Sequence, residues 1–269
     1  MRASALSAIP KRIIRIAHRA ARAAAMVPSR SERLDTMPFA QHYQNTLDEL
    51  SRVCASCGRN PRDVKVIAVS KTVGIDAVRA AVAAGAHDFG ENRPDLLAEK
   101  VAALPSETWH FIGNIQSRKI PEIVANATLV HSLYKESHLA KFDTAAQAVG
   151  KVQDVLLEVN VSGEESKSGL APADVADVLA HAVEFSHIRV RGLMTMAPQG
   201  DLAVARECFD GLAALRDQLR TQLSAEQAAA FNELSMGMSE DWREAVCAGA
   251  TMVRIGRALF SDTFEAPDA

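Results

Sequence analysis

Eight short apolar segments alternate with longer amphipathic segments from residue 64 to near the end of the chain. Several short segments are rich in β-branched residues and end in Gly, Ser or Asn, which is typical of strands. The predicted strands are 64–70, 87–92, 109–114, 128–133, 154–160, 188–196, 231–237 and 251–260. The predicted helices between them are 76–86, 94–104, 117–126, 135–148, 172–184, 201–222 and 240–249. Strands that alternate with helices pair in parallel, so the sequence predicts an α/β protein.

Eight such units can close as a single-domain (β/α)₈ TIM barrel, and an open doubly wound sheet is the alternative. No G-x-G-x-x-G follows any predicted strand, which disfavours the open sheet. A total of 269 residues is a usual length for one barrel. A leading helix is predicted over residues 38–60, and Ser239, followed by two acids, is predicted to cap the helix 240–249.

The first 36 residues differ in charge from the rest of the chain. They carry eight Arg or Lys side chains and two acids, whereas the remainder has a net charge of −9. This basic segment resembles a transit peptide or a surface-binding amphipathic helix. A poorly ordered extension upstream of a start at Met37 is the interpretation we favour. The predicted division is therefore an extension at 1–36 and a barrel domain at 37–269.

Composition excludes several classes of function. An acidic barrel is a poor partner for nucleic acid, because duplex phosphates bind a basic face. No apolar run is long enough to span a membrane. Cys54 and Cys57 form a CxxC pair, but no second ligand pair accompanies it, so no metal site is predicted. Reduced thiols suit the cytoplasm.

Polar residues follow the predicted strands, and in a parallel barrel the chemistry collects at those ends. Lys71 follows the first strand, so its amine is either poorly solvated and nucleophilic or reaches solvent beyond the strand. The loops after the last two strands often bind phosphate in barrels, and Ser235, Gly237 and Gly256 could form that site. Arg254 shares a face with Gly256 and should point into the barrel mouth, with a buried salt bridge as the alternative.

Seven ordered segments resemble the pyridoxal phosphate homeostasis proteins, whose barrel is similar to that of alanine racemase. Together they span about residues 38–262. The segments are VIAVSKT (66–72), FGEN (89–92), WHFIGNIQSRK (109–119), VNVSGEESKSG (159–169), RGLMTMAP (191–198), LSMGMSEDW (234–242) and GATMVRIGRALF (249–260).

The resemblance implies a fold type III barrel that binds pyridoxal 5′-phosphate. It implies that Lys71 forms a Schiff base and that Arg254 faces the pyridine nitrogen. It also implies a phosphate site at the Ser235 hydroxyl with the backbone of Met236, Ile255 and Gly256. Asn92 and Met194 correspond to residues that line the cofactor, and Lys167 corresponds to a lysine of a mobile loop whose role stays open.

The sequence departs from the family pattern at two places near the barrel mouth. Arg93, Pro94 and Asp95 replace the usual Tyr-Val-Gln, and Arg118 stands where Asn is common. The added charge puts in doubt any partner contact that uses the family's residues.

An arginine beside the pyridine nitrogen leaves that nitrogen unprotonated, and the ring is then a weaker electron sink. Racemases of this type also use a tyrosine from a second domain, whereas Tyr43 and Tyr134 match no such position. The expected function is therefore cofactor homeostasis with little or no turnover, by a monomer that delivers pyridoxal phosphate to apo-enzymes. A monomeric amino-acid racemase and a cofactor-free Schiff-base aldolase stay open as alternatives.

Overall fold

The structure, a computed structural model, describes residues 30–164 and 166–264. Its eight strands form a closed parallel barrel in which each strand pairs with the next and β8 pairs with β1. The strands are β1 (Lys65–Val69), β2 (Asp88–Glu91), β3 (Thr108–Phe111), β4 (Leu129–Leu133), β5 (Gln153–Glu158), β6 (Ile188–Met194), β7 (Glu233–Ser235) and β8 (Met252–Ile255). The predicted (β/α)₈ fold is confirmed.

The helices surround the strands in the order that the sequence predicts. They are α1 (Arg30–Ser56), α2 (Ile75–Ala83), α3 (Pro94–Ala103), α4 (Ile120–Asn126), α5 (Leu139–Ala148), α6 (Val175–Ala182), α7 (Leu202–Arg220), α8 (Ala225–Ala230), α9 (Trp242–Cys247) and α10 (Arg257–Phe260). Within these described residues, no helix is long and apolar enough to cross a membrane.

Several predicted elements differ from the structure. The last strand ends at Ile255 rather than residue 260, because the segment after Gly256 turns into α10. Short α8 was not predicted, although Ser224 and Gln227 form a capping box at its start. Ser239 does not cap α9: the cap position is Asp241, whose carboxylate accepts the backbone N–H of Met238 at 2.6 Å.

The leading helix begins at Arg30, earlier than predicted, so the proposed boundary at residue 36 falls within α1. Residues 1–29, most of the predicted extension, lie outside the described residues, and the division into extension and barrel stays a prediction. From Phe39 onward the helix packs against the barrel. The Phe39 ring lies 4.7 Å from that of Phe260, and the Glu49 carboxylate accepts from Arg243 at 2.6 Å.

Alternation along the strands divides the core into two parts. A large apolar layer fills the space between strands and helices, where Phe89, Trp109 and Phe111 are fully buried. Among the described residues, the apolar cluster of the barrel interior is small and consists of Ile67, Leu129, Leu156, Met194 and Met252. The rest of the interior contains polar side chains, and these side chains contribute to the candidate functional site.

Gly237 shows how tightly the loop after β7 packs on its helix. Its φ is +88°, and a Cβ there would lie 2.6 Å from the Ala245 Cβ and 2.8 Å from the Trp242 backbone. The residue is therefore required for packing against α9. The sequence prediction that Gly237 approaches an anion is not supported by this geometry.

We expect Gly237→Ala to lower the free energy of unfolding by roughly 2–5 kcal/mol, since left-handed strain adds to a steric clash. Gly85→Ala is the matched control, because Gly85 has φ +93° with open space around it. The control should cost only about 1–2 kcal/mol. Urea unfolding followed by circular dichroism measures both, and equal losses would contradict the packing role.

Candidate functional site

A pocket of about 360 Å³ opens at the carboxyl ends of the strands. This volume lies in the range of small-molecule sites. Polar, charged and flexible side chains dominate its lining. The lining residues are Val69, Lys71, Asn92, Ile112, Gly113, Asn114, Met196, Gln199, Met238, Ser239, Glu240, Arg254, Gly256 and Arg257. Four residues singled out from the sequence, Lys71, Asn92, Arg254 and Gly256, are among them.

Lys71 lies in a turn after β1, one residue beyond Ser70. Its side chain is exposed, so of the two alternatives for its amine the structure shows the solvent-accessible one. The turn is closed by a backbone hydrogen bond from Val73 N–H to the Ser70 carbonyl, at 3.1 Å. A free amine is thus held on a fixed turn at the edge of the pocket.

Buried Lys100 fixes this turn from below. Its ammonium group donates to the carbonyls of Ser70 at 2.8 Å and Val73 at 2.9 Å, and to the carboxylate of Glu91. The Ser70 hydroxyl also donates to Glu91, at 2.8 Å. Lys100 has three N–H donors, and these contacts occupy all of them. Lys100 therefore stabilises the turn that carries Lys71.

Glu91, at the end of β2, lies away from the pocket although it belongs to the FGEN segment. It is fully buried because it points outward from β2 toward α3, whereas its neighbour Asn92 points to the pocket. The missed signal was helical spacing: Lys100 lies three residues after Leu97, on the same buried face of α3.

Arg254 lies beneath the pocket and is only 5% exposed. Its guanidinium donates from Nη1 to the Ser235 hydroxyl at 2.7 Å and from Nη2 to the Thr195 carbonyl at 3.1 Å. Burial lowers the pKa of Arg254 to about 10, although Asp241 and Glu158 act in the opposite direction. The group stays cationic at neutral pH. Among the described residues Arg254 forms no salt bridge, so that alternative is not found.

Ser235 lies one layer deeper than the sequence predicted. It is fully buried, and its hydroxyl contacts Arg254 and His131 rather than the pocket. Met236 is also buried, and its N–H donates to the Met252 carbonyl at 3.1 Å. The Ser235 hydroxyl and the Met236 N–H thus have partners within the protein in this arrangement, and a contact of either residue with phosphate stays a prediction.

Met194 and Ile255 do not line the pocket either. Met194 belongs to the apolar cluster inside the barrel, and Ile255 faces the helix layer. The pocket is instead lined by Met196, two residues later on the same face of the chain. Strand-end motifs indicate the edge of the sheet but not the depth of each side chain, and the roles of Met194 and of the Ile255 backbone stay predictions.

Sequence reasoning missed Ser239 and Arg257 as pocket residues. The Ser239 hydroxyl accepts the Ala258 N–H at 3.3 Å, and its own proton remains available to the pocket. Arg257 forms an ion pair with Glu240 at the mouth. Its position directly after Gly256 was the available signal.

The residues that depart from the family pattern lie at the surface. Arg93 and Asp95 are both exposed and pair with each other, and Arg118 is exposed. Lys167 does not line the pocket, but its amine lies 3.4 Å from the carbonyl of Met196. Its role stays open.

We expect Lys100→Met to lower the free energy of unfolding by about 3–5 kcal/mol, because it leaves the buried Glu91 carboxylate unpaired. The double variant Lys100→Met with Glu91→Gln should recover most of that loss. Urea unfolding measures the three proteins. A double variant as unstable as the single one would show that the lost contacts to the turn, rather than the unpaired charge, cause the destabilisation.

Burial raises the pKa of Glu158 to about 7, and the charge of Arg254 only partly opposes this effect. The folded protein therefore binds a proton more tightly than the unfolded chain, so its stability falls as pH rises from about 4.5 to about 7. Glu158→Gln should remove this dependence. We expect the variant to gain on the order of 3 kcal/mol relative to wild type at pH 8 and little at pH 4. Unfolding measured at both pH values checks this, and an equal difference at the two would contradict it.

The chain is similar to known proteins in sequence and in fold. The family model for the alanine racemase N-terminal domain matches residues 45–263. A pyridoxal phosphate homeostasis protein of Aquifex aeolicus is 34% identical over 229 residues, which cover 84% of this chain and 99% of that protein. One from Deinococcus radiodurans is 40% identical, over 77% of this chain and 93% of that protein.

A solved structure of PipY from Synechococcus elongatus PCC7942, with PLP bound, superposes with a TM-score of 0.68. It is 33% identical and covers 79% of this chain and 100% of that one. On this sequence match and this barrel, the chain belongs to the alanine racemase N-terminal domain family and, within it, to the pyridoxal phosphate homeostasis proteins.

Proposed function

We propose that this chain binds pyridoxal 5′-phosphate as a Schiff base on Lys71 and serves the homeostasis of that cofactor. One observation carries the proposal: an exposed lysine amine and a buried guanidinium line the same pocket. A phosphorylated pyridine aldehyde needs an amine for its aldehyde and a fixed partner for its ring nitrogen. The names of the relatives and the PLP in the PipY structure support the same cofactor.

The charges around the pocket fit a phosphorylated ligand. Lys71, Arg254 and Arg257 line it with one acid, Glu240. We assign the phosphate to the Ser239 hydroxyl, the Arg257 side chain and the backbone near Gly256, in place of Ser235 and Met236. Asn92 and Met196 would contact the ring.

The chemistry at Lys71 is a reversible condensation. Its unprotonated amine attacks the aldehyde, a C=N bond replaces C=O, and water leaves. Arg254 remains a hydrogen-bond donor, so it keeps the pyridine nitrogen unprotonated and the ring a weak electron sink. We therefore expect binding and delivery to apo-enzymes with little or no turnover, in the cytoplasm, by a monomer.

One observation keeps a racemase activity as a second candidate. The Tyr134 hydroxyl lies 3.5 Å from the Asn114 side-chain oxygen, and Asn114 lines the pocket. A tyrosine at the mouth is a candidate acid or base. Interconversion of D- and L-alanine by wild type that disappears in Tyr134→Phe would favour this candidate.

The Schiff base can be located directly. Wild type given pyridoxal phosphate should develop a visible absorption band, and borohydride should fix the label on Lys71, as measured by peptide mass spectrometry. Lys71→Ala should lose both the band and the label. Lys141→Ala, which removes an exposed lysine of α5, should behave as wild type.

Two outcomes would overturn this assignment. A protein that stays colourless with the cofactor but forms a reducible adduct with an aldol substrate would be an aldolase. A label that persists in Lys71→Ala would move the Schiff base to another lysine. Transfer of the bound cofactor to a cofactor-free acceptor enzyme then tests delivery.

A further inference from the structure

A chain of buried side chains crosses the barrel interior from the pocket to the opposite end. It begins at Arg254, whose Nη1 lies 2.7 Å from the Ser235 hydroxyl. Ser235 lies 2.8 Å from Nδ1 of His131, and Nε2 of His131 lies 2.9 Å from Nδ1 of His110. Nε2 of His110 lies 3.0 Å from the carboxylate of Asp88.

This series of hydrogen-bonded side chains runs from a buried end to a partly solvent-exposed end. Ser235 and His131 are fully buried and His110 is 1% exposed, whereas the Asp88 side chain is 21% exposed at the start of β2. There Lys65, at the start of β1, pairs with Asp88 at 3.2 Å. Each link comes from a different strand, so closure of the barrel is what brings the groups together.

Hydrogen-bond chemistry fixes the direction of every link. An ionised carboxylate can only accept, so the Nε2–H of His110 donates to Asp88. A neutral imidazole has one N–H, so Nδ1 of His110 accepts the Nε2–H of His131, and Nδ1 of His131 in turn accepts the hydroxyl proton of Ser235. A guanidinium can only donate, so Ser235 accepts from Arg254. All the protons point from the pocket toward Asp88.

The charges agree with this direction. Burial lowers the pKa of both His131 and His110, so each imidazole is neutral at neutral pH and has one proton to place. Burial alone would raise the pKa of Asp88, but the hydrogen bond from His110 and the charge of Lys65 lower it overall. A carboxylate therefore anchors one end and a guanidinium the other.

This arrangement has a consequence for the pocket. Each donated hydrogen bond makes the next acceptor more negative, so an oriented chain presents an electron-rich Ser235 oxygen to Arg254. That oxygen and the Thr195 carbonyl fix the plane of the guanidinium. Thr195 is itself held, since its hydroxyl donates to the Val159 carbonyl at 2.7 Å.

We propose that Ser235, His131, His110 and Asp88 are positioning residues that hold the Arg254 guanidinium in one orientation. Through Arg254 they set the electronic state of a ligand in the pocket from the far end of the barrel. The first part concerns the protein alone, and the second rests on the proposed function.

The first test needs no cofactor. Long-range ¹H–¹⁵N correlation NMR on the ¹⁵N-histidine-labelled full chain at neutral pH reports the tautomer of each imidazole. We expect His110 and His131, assigned by their loss in His110→Gln and His131→Gln, to be neutral with the proton on Nε2. Ser235→Ala should move the Nδ1 resonance of His131, which loses its donor. An imidazole at either residue that is protonated on Nδ1, or on both nitrogens, would contradict the proposed direction of the hydrogen bonds from Arg254 to Asp88.

The second test compares two aspartates at the same end of the barrel. Asp88→Asn keeps the shape but removes the charge that anchors the chain. Asp154→Asn is the matched control, because the Asp154 side chain is 24% exposed and pairs with Arg189, which is not part of the hydrogen-bonded series. Asp88→Asn should shift the visible band of bound pyridoxal phosphate and weaken its affinity roughly two- to thirtyfold. The control should leave both as in wild type.

The outcomes separate the two proposals. If wild type binds the cofactor and both aspartate variants behave alike, the long-range coupling is wrong and the proposed function stands. If wild type binds no cofactor, the proposed function fails, and the NMR result alone decides whether the hydrogen bonds from Arg254 to Asp88 are oriented as proposed. Thermal unfolding of each variant identifies losses caused by misfolding, and the tautomers of wild type remain decisive in that case.

Discussion

The buried guanidinium of Arg254 governs how the interior of this barrel is organised. Moving a charge out of water is costly unless polar groups replace its hydration. Here the replacement comes mainly from neutral acceptors, the Ser235 hydroxyl and the Thr195 carbonyl. The carboxylates of Glu158 and Asp241 act only through their charge. A guanidinium held by neutral groups keeps N–H donors for a ligand, whereas a bidentate salt bridge would occupy them.

The requirement to surround this cation explains why the interior holds so little apolar material. Barrels of this fold usually fill their centre with branched aliphatic side chains in layers. In this chain His110, His131 and Ser235 occupy inward positions, and the apolar cluster is limited to five residues. Polar groups inside a core specify a unique arrangement when every one has a partner. The barrel thus places its stability mainly in the outer layer between strands and helices.

Alternation along strands explains both the success and the limit of the sequence analysis. The strand ends were predictable, and they lead to Lys71, Asn92, Arg254 and Gly256 in one pocket. The depth of a residue was not predictable, because a two-residue period fixes the face but not the layer. The sequence therefore predicts a phosphate contact for Ser235, whereas in the structure the Ser235 hydroxyl contacts Arg254.

Contacts between distant segments could not be predicted from the sequence, for a different reason. Lys100 contacts Ser70, in the turn of Lys71, across 30 residues, and His131 contacts Ser235 across 104. Neither pair has a local signature: Lys100 contacts the turn because β1 pairs with β2, whereas His131 contacts Ser235 across the interior of the closed barrel. A lysine in a helix is usually solvated, and its spacing from Leu97 indicates a buried face but does not identify the turn that Lys100 contacts.

The two charged groups of the pocket differ in conformational freedom, and under the proposed function this difference suits a carrier better than an enzyme. Arg254 is fixed by its neighbours, whereas the Lys71 side chain is exposed to water. Enzymes that act on carbanions exclude water from the reacting bond. Under the proposed function, water at Lys71 is a reactant, since hydrolysis of C=N returns the amine and the free aldehyde. Under the same proposal, a fixed partner for the ring and a solvent-exposed amine hold the cofactor by its ring and phosphate and leave the covalent link reversible.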